Sequence, residues 1–455
     1  MLLIGSFKRF VESSPVSVMM RGIIENLFHP ERVDRLFEEY AVTQYTRTLP
    51  FSTVAEVMGE VVFNVSPSVG ASLQNRVDSL PVSTRAFYLK LNGIEPNVAA
   101  ALVRDAARRL APVIRKLGVR TPLLPGYNVK ILDGNHFAAT EHRLLETRVE
   151  TAAPLPGQAL AVLDPDLRLA IDVFPCEDGH AQERSLLNQV LPTVRPKDLW
   201  IADRNFCTLG FLFGIARREG RFIIRHHASM PMEKIGQPKF IGKSDTGRVF
   251  EQKAKIIDPE TGRRMTIRCI TLKLKTATKD GEREIVILTN LSKKDAAAIK
   301  VADLYRKRWT VESMFQEMTD NLTCEIKTLG YPRAAVFAFC LALTAWNGMS
   351  VIHAALRNVH GEETVEQNLS NYYLSLEIAQ VYNGMLIAIP AAEWEIFQDL
   401  TTAKMVSVLK QLATKVNLKK FQKNTRGPKG PRAKRRNSGN GQHVATAKLL
   451  ARRNQ

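Results

Sequence analysis

The chain has 455 residues, of which 45% are hydrophobic, and this composition excludes global disorder. The length favours about two to four domains with cores of their own. A formal net charge of +19 indicates a polyanionic partner, with nucleic acid as the first candidate and a membrane surface as the second.

The basic character is concentrated at the C-terminal end. No acidic residue follows Asp399, and residues 400–455 contain 15 Lys and Arg, so the rest of the chain carries only +4. Such a run is either a solvated extension or a surface that grips DNA phosphates, and we favour the second. We therefore predict that residues 416–455 form a basic, disordered tail, with DNA contacts from Lys419, Lys420, Lys434, Arg435 and Arg436.

The spacing of the cysteines and the apolar runs indicate the cellular compartment. The five cysteines are scattered, so no close pair could hold zinc, and free thiols fit a reducing cytoplasm. The N-terminal apolar run is too short for a signal peptide. Residues 334–352 lack charge but include Thr344, Asn347 and Ser350, so we expect a buried helix and no membrane contact. We expect a cytoplasmic, nucleoid-associated protein.

Residues 1–120 are predicted to form a helical N-terminal domain. Ile23, Ile24 and Leu27 recur at helical spacing, and a later pair of helices flanks Asn92-Gly93. This pair could be a helix-turn-helix reader of DNA or an ordinary helical hairpin, and the sequence does not decide between them. Because base-edge readers are needed to recognise DNA ends, this domain is where we expect them.

A strand-rich region begins at about residue 121. Short apolar runs predict strands at about 129–132, 158–163, 167–174, 199–202 and 221–225, and helices are predicted over 180–191 and 208–218. Residues 227–290 break this alternation with polar, Gly-punctuated β segments, which predict a small inserted β-domain. A helical stretch follows, and helical structure is expected again over 333–415.

Two aspartates follow predicted strands. Asp133 ends the first strand and Asp203 follows the fourth, so neighbouring strands would bring both carboxylates to one edge of a sheet. A helix from beyond the insertion could add Glu312. Such oxygen ligands suit Mg²⁺, and two ions roughly 3.5–4 Å apart can activate an attacking oxygen and stabilise a leaving one. We predict that Asp133, Asp203 and Glu312 hold two Mg²⁺ ions, with Mn²⁺ as the alternative.

Each acid also has an ordinary structural explanation. Asp133-Gly134 could be a turn, Asp203-Arg204 a surface ion pair, and Glu312 a solvated helix position. Other acids compete for the catalytic role, and of these a mid-strand aspartate is the most credible substitute. The competing acids are Asp164, Asp166, Asp172 (the mid-strand residue) and Asp178.

The segment around Glu312 carries a second pattern. Tyr305, Arg308 and Glu312 stand at i, i+3 and i+7, which places them on one face of a continuous helix. Arginine can grip a phosphate with two hydrogen bonds, and tyrosine can hydrogen-bond a phosphate or stack on a base. A mixed polar helix face is the alternative interpretation.

This segment resembles the Tyr-x2-Arg-x3-Glu-x6-Lys signature of bacterial insertion-sequence transposases of the DDE class. Asp133-Gly134-Asn135 is similar to the first acidic motif of that group, and the residues from Ala202 to Phe206, with Arg204, to the second. The resemblance spans about residues 133–327. It departs at Thr319, where the signature has Lys, and Lys327 lies eight residues further on.

The resemblance implies an α/β fold, with a ribonuclease-H-like catalytic core over 121–332 that contains the β insertion. It implies metal-dependent cleavage at terminal inverted repeats, strand transfer into target DNA, and a homodimer bound to double-stranded DNA. Tyr305, Arg308 and Arg204 would contact the DNA. The alternatives are a nuclease of the same fold that does not rejoin DNA, and a non-catalytic repressor derived from a transposase.

Overall fold

A nine-stranded mixed sheet runs through the computed structural model, which describes residues 5–78, 80–118, 120–258, 260–278, 281–424 and 443–453. The strands are β1 (Asn128–His136), β2 (Ala153–Leu155), β3 (Gln158–Asp164), β4 (Leu169–Cys176), β5 (Asp198–Ala202), β6 (Arg221–Arg225), β7 (Glu233–Lys243), β8 (Gly247–Ile257), β9 (Arg264–Leu274), β10 (Glu284–Thr289) and β11 (His443–Ala445).

Helices from the N-terminal and C-terminal parts of the chain pack around this sheet. In the described residues they are α1 (Phe7–Ser13), α2 (Pro15–Leu27), α3 (Pro30–Tyr40), α4 (Phe51–Val62), α5 (Val69–Gln74), α6 (Thr84–Gly93), α7 (Pro96–Leu117), α8 (Leu145–Arg148), α9 (Leu187–Val190), α10 (Leu209–Arg217), α11 (Ala298–Arg306), α12 (Trp309–Asn321), α13 (Pro332–His360), α14 (Glu362–Asn368), α15 (Asn371–Ala388), α16 (Ala391–Trp394), α17 (Thr402–Ala413) and α18 (Thr446–Arg453).

The large sheet has the order β4-β3-β1-β5-β6-β10-β9-β8-β7. Strands β4, β3 and β1 are antiparallel, whereas β1, β5 and β6 are parallel. The predicted hairpin between β3 and β4 is present. In its turn, the Asp164 carboxylate accepts hydrogen bonds from the backbone N–H groups of Asp166 and Leu167, each at 3.0 Å.

The segment predicted as a small inserted β-domain is continuous with the central sheet. Strand β10 returns to pair with β6, matching Leu288 with Ile224, and β9, β8 and β7 extend the sheet from there. The Thr289 hydroxyl reinforces the return by donating to the Phe222 carbonyl oxygen at 2.6 Å. Residues 227–290 therefore lengthen one side of a single sheet.

The two faces of the sheet are covered differently. Alternating residues of β1 enter different cores: Ile131 packs with the N-terminal helices, α13 and α17, while Leu132 packs with α10. The helix predicted over 180–191 forms only short turns between Glu183 and Thr193. These three short helical segments cover the face of the sheet that carries the smaller hydrophobic cluster.

Helices from both ends of the chain share one hydrophobic core. Helix α7, the second member of the predicted helical pair, packs against β4 and α13, and the Arg104 guanidinium reaches Asp172 on β4. The apolar face of α7 is therefore buried against β4 and α13. The predicted separate regions 1–120 and 333–415 contribute to the same cluster, which extends from Phe7 to Phe421.

Helix α13 is the central helix of this core. In the part of the chain that the structure describes, it is the one helix with the length and apolar composition of a membrane span, and 94% of its most apolar window is buried in protein. Asn347 on α13 accepts from the Ala170 backbone N–H at 2.8 Å and donates to its carbonyl oxygen at 2.9 Å. Its side chain thus pairs with the outer edge of β4.

The described parts of the predicted tail over 416–455 contain regular structure. Strand β11 pairs in parallel with β2, and α18 follows it. Leu418–Phe421 forms a 3-10 turn in which Lys419 and Lys420 are exposed. Lys434, Arg435 and Arg436 lie outside the described residues.

Candidate active site

The register of the central strands brings two aspartates together. Leu132 on β1 pairs with Ala202 on β5, so Asp133 and Asp203 follow at adjacent positions of two parallel strands. Asp133 does not end its strand as predicted, because β1 continues to His136 through antiparallel pairing with β3. The pairing places the two aspartates on neighbouring strands in the middle of the sheet.

The predicted single helix around Glu312 is two helices. Helix α11 ends at Arg306 and α12 begins at Trp309, and turn-like hydrogen bonds such as Arg308 N–H to the Tyr305 carbonyl oxygen fill the break. Tyr305, Arg308 and Glu312 therefore do not share one continuous helix face. The break places Arg308 at the start of α12, where its side chain turns towards the sheet.

These residues still converge on the two aspartates. The Tyr305 hydroxyl donates to Asp203 Oδ1 at 3.1 Å. Arg308 donates from Nη1 to Asp133 Oδ2 at 2.9 Å, and its Nη2 forms an ion pair with Glu312 Oε1 at 2.7 Å. A single guanidinium thus connects two of the three predicted metal ligands, and a tyrosine holds the third.

Burial dominates the electrostatics of Asp133. Desolvation raises the pKa of its carboxyl group to about 7, while the Arg308 charge and the Gly134 N–H oppose that rise. The pKa of Tyr305 is raised by burial and by the neighbouring Asp203 charge, so its hydroxyl remains a donor at neutral pH.

The donor set fits a hard divalent cation by its chemistry. Asp133, Asp203 and Glu312 offer carboxylate oxygens, which are the ligands that Mg²⁺ and Mn²⁺ take. No group of three or more His, Cys, Asp or Glu side chains is gathered as a metal site within the described ranges. Arg308, paired with two of the three acids, provides the positive charge at this position.

An open cleft of about 840 Å³ lies beside these residues. Trp309, a residue that sequence reasoning missed, is 60% exposed and presents an indole at the cleft. The side chains that line the cleft are Asp203, Arg204, Arg225, Thr278, Glu282, Ile285, Tyr305, Arg308, Trp309, Glu312, Ser313, Gln316 and Glu317.

Two arginines stand at the rim of the cleft. Arg204, predicted to contact DNA, donates from Nη1 to Glu282 Oε1 at 2.9 Å. Arg225, the last residue of β6, was not predicted, and it donates to the other oxygen of the same carboxylate. The one sequence signal for Arg225 is its position at the end of a buried strand.

Helix α12 is anchored behind the cleft. Glu317 accepts hydrogen bonds from Arg168 Nη2 at 3.1 Å and from Trp346 Nε1 at 3.0 Å. Arg168 belongs to the β3–β4 turn and Trp346 to α13, so the helix that carries Glu312 is tied to both the sheet and the core. Nothing in the local sequence pattern indicated this positioning role.

The competing acids have structural partners. Asp172 accepts from Arg104 Nε at 2.5 Å and from the Val173 N–H at 2.8 Å. Asp178 accepts from the His180 N–H and pairs with Lys448 at 3.2 Å. Neither of them lines the cleft.

The two positions at the end of the signature lie away from the cleft. The Thr319 hydroxyl donates to the Phe315 carbonyl oxygen of its own helix at 3.0 Å. Lys327 is exposed in the segment that follows α12. Neither side chain lines the cleft, so neither supplies a charge to it.

Comparison with known proteins identifies the central segment. Residues 126–347 match the transposase DDE domain family. The curated proteins contain no match. Among solved structures, a cryo-EM structure of the piggyBac transposase synaptic complex with hairpin DNA aligns over 86% of each chain, with a TM-score of 0.43 and 9% identity. That likeness is too weak to bear on the fold. The matched segment contains Asp133, Asp203 and Glu312.

Proposed function

We propose that this protein is an insertion-sequence transposase that cleaves DNA at terminal inverted repeats and joins the cut ends to target DNA. The observation that carries the proposal is that Arg308 joins Asp133 to Glu312, and that Asp203 follows the strand next to the one that carries Asp133, within the segment that matches the transposase domain family. The order of the five central strands, three antiparallel and then two parallel, supports a ribonuclease-H-like core.

The three acids would hold two divalent ions, Mg²⁺ or Mn²⁺, in this reaction. When bound, such ions activate the attacking oxygen and stabilise the leaving oxygen of the phosphodiester. Two adjacent strands set the separation of Asp133 and Asp203, and the Glu317 anchor sets the position of the helix that brings Glu312. These supports pre-organise the carboxylates, which reduces the cost of gathering like charges.

The other cleft residues would hold the DNA. Arg308, once released from the carboxylates, can grip a phosphate with its planar guanidinium, and Tyr305 keeps Asp203 in place with its hydroxyl proton. Trp309 offers an exposed aromatic face on which an unpaired base can stack. Exposed Lys419 and Lys420 add sequence-independent contacts to the DNA backbone, and a homodimer would hold two element ends together.

Cleavage of a duplex that carries the element's own ends tests this proposal. With Mg²⁺ or Mn²⁺ we expect nicking by the intact protein, and Asp203→Ala should lower the rate by roughly a thousandfold, because metal ions supply several kcal/mol of transition-state stabilisation. Asp172→Asn is the matched control, because Asp172 pairs with Arg104 outside the cleft. Equal loss in both folded variants, or cutting that persists in Asp203→Ala, would contradict the assignment.

A non-catalytic repressor remains the second candidate because of one observation. Thr319 replaces the signature lysine, and its hydroxyl is bonded within its own helix, so no positive charge reaches the cleft from that position. In the same assay, a repressor would bind the ends without cutting them in either metal. A nuclease that does not rejoin DNA would release cut products and give no strand transfer.

A further inference from the structure

Glu282 bridges the two arginines at the rim of the cleft. Each oxygen of its carboxylate accepts from a different guanidinium, Arg204 on one side and Arg225 on the other. The two arginines come from separate elements, the turn after β5 and the end of β6, whereas Glu282 comes from the segment between β9 and β10. Residues distant in sequence thus meet in one charge-assisted group.

The carboxylate is held firmly in this position. The Glu282 backbone N–H donates to the Thr278 hydroxyl at 3.1 Å, and its carbonyl oxygen accepts from the Thr278 N–H at 2.8 Å. The hydrogen bond from Arg225, the largest influence, lowers the pKa of Glu282, so the group is an anion at neutral pH. The turn that contains Glu282 therefore holds its carboxylate between the guanidinium groups of Arg204 and Arg225.

The same two guanidinium groups suit a phosphate. Carboxylates and phosphates both present paired oxygens to the planar fork of arginine, and phosphate is the better acceptor of several such bonds. The Arg225 side chain is only 15% exposed, so its charge is poorly solvated and depends on a bound anion. Both arginines lie beside Asp203 in the cleft where DNA would be cut.

We propose that Arg204 and Arg225 form a binding site for one backbone phosphate of the DNA, and that Glu282 occupies this site until DNA displaces it. The proposal rests on the proposed function, since it assumes that the cleft receives DNA. It adds Arg225 as a phosphate ligand and makes Glu282 an internal competitor of the substrate.

Binding measurements without divalent metal test this competition. Fluorescence anisotropy with a labelled duplex of arbitrary sequence, in EDTA, should show binding about tenfold tighter for Glu282→Gln than for the native protein, because one charge-assisted competitor has been removed. Arg225→Gln should weaken binding. The double variant Glu282→Gln/Arg225→Gln should lose most of the gain, because the gain requires both arginines.

Glu260→Gln is the matched control for charge. Glu260 is an exposed residue of the same β insertion, in the turn between β8 and β9, so its replacement changes the net charge equally at a distance from the cleft. A gain equal to that of Glu282→Gln, or a gain that survives in the double variant, would overturn the proposal. Thermal melting of each variant verifies that the fold is intact.

Three further outcomes distinguish a DNA phosphate from free phosphate as the bound anion, and the Glu282 competition from the proposed function. Titration of Glu282→Gln with inorganic phosphate alone should show only weak binding, and tight binding would assign the site to free phosphate in place of DNA. Duplex binding by all variants with equal affinity would overturn the Glu282 competition alone. Failure of every variant, including the native protein, to bind the duplex would overturn the proposed function as well.

Discussion

Replacing Arg308 by methionine is expected to raise the affinity of the protein for Mn²⁺ by roughly ten- to a hundredfold, since hydrogen bonds to charged groups contribute about 1.5–3 kcal/mol each. Arg308 donates to Asp133 at 2.9 Å and forms an ion pair with Glu312 at 2.7 Å, and a bound metal must displace it from both carboxylates. Methionine keeps much of the side-chain volume without the charge. Mn²⁺ binding is read directly by electron paramagnetic resonance of the free ion.

The measurement belongs at about pH 8.5, because a proton also competes for Asp133. Burial raises the pKa of Asp133 to about 7, and removing Arg308 raises it further, so alkaline pH keeps the carboxylate ionised in both proteins. Arg306→Met removes the same charge two residues away, where the side chain pairs with Asp245 and Asp303. Unchanged or weaker Mn²⁺ binding in Arg308→Met alone would contradict the competition.

DNA cleavage should move in the opposite direction to metal affinity. The same guanidinium that obstructs the metal is proposed to grip a phosphate once it is released, so Arg308→Met should cut DNA more slowly while holding Mn²⁺ more tightly. A variant that gains in both properties would leave Arg308 with no role in binding DNA.

Replacing Asn347 by leucine is expected to lower the free energy of unfolding by roughly 2–6 kcal/mol, since each buried backbone group left without a partner costs about 1–3 kcal/mol. The Asn347 amide satisfies both the N–H and the carbonyl oxygen of Ala170, and it is fully buried. Leucine has a similar shape but offers neither donor nor acceptor. Chemical denaturation followed by circular dichroism measures the change.

Thr344→Val on the same helix is the control. The Thr344 hydroxyl is buried, but it donates only to the Cys340 carbonyl oxygen of its own helix, so its removal strands no backbone group of the sheet. We expect a loss of less than about 1 kcal/mol there. Similar losses in the two variants would show that α13 tolerates neither change for reasons of packing, and would remove the special role of Asn347.

The positions of the two aspartates were predictable because an acidic residue that follows a short apolar run is visible in the local sequence. Asp133 and Asp203 follow apolar runs, and the pairing of Leu132 with Ala202 places them on neighbouring strands, which the strand pattern predicted. The break at 307–308 was not visible, because Lys307 and Arg308 are good helix formers and only tertiary contacts with the sheet favour the turn there.

The remaining features depend on long-range pairing that local patterns do not carry. Residues 227–290 contain ordinary β segments, and nothing in them shows that β10 will return to β6. Arg225 and Glu282 lie 57 residues apart, and no spacing rule connects them. Similarly, the basic C-terminal composition predicted disorder, although His443–Ala445 finds a partner in β2.

The shared core also has a consequence for how the protein is made. Its largest hydrophobic cluster contains side chains from Phe7 through Phe421, with α13 and α17 covering the sheet face that the N-terminal helices also touch. During synthesis, that face stays exposed until nearly the whole chain has left the ribosome. Prematurely terminated chains would therefore carry the aspartates without a closed core, and they would aggregate.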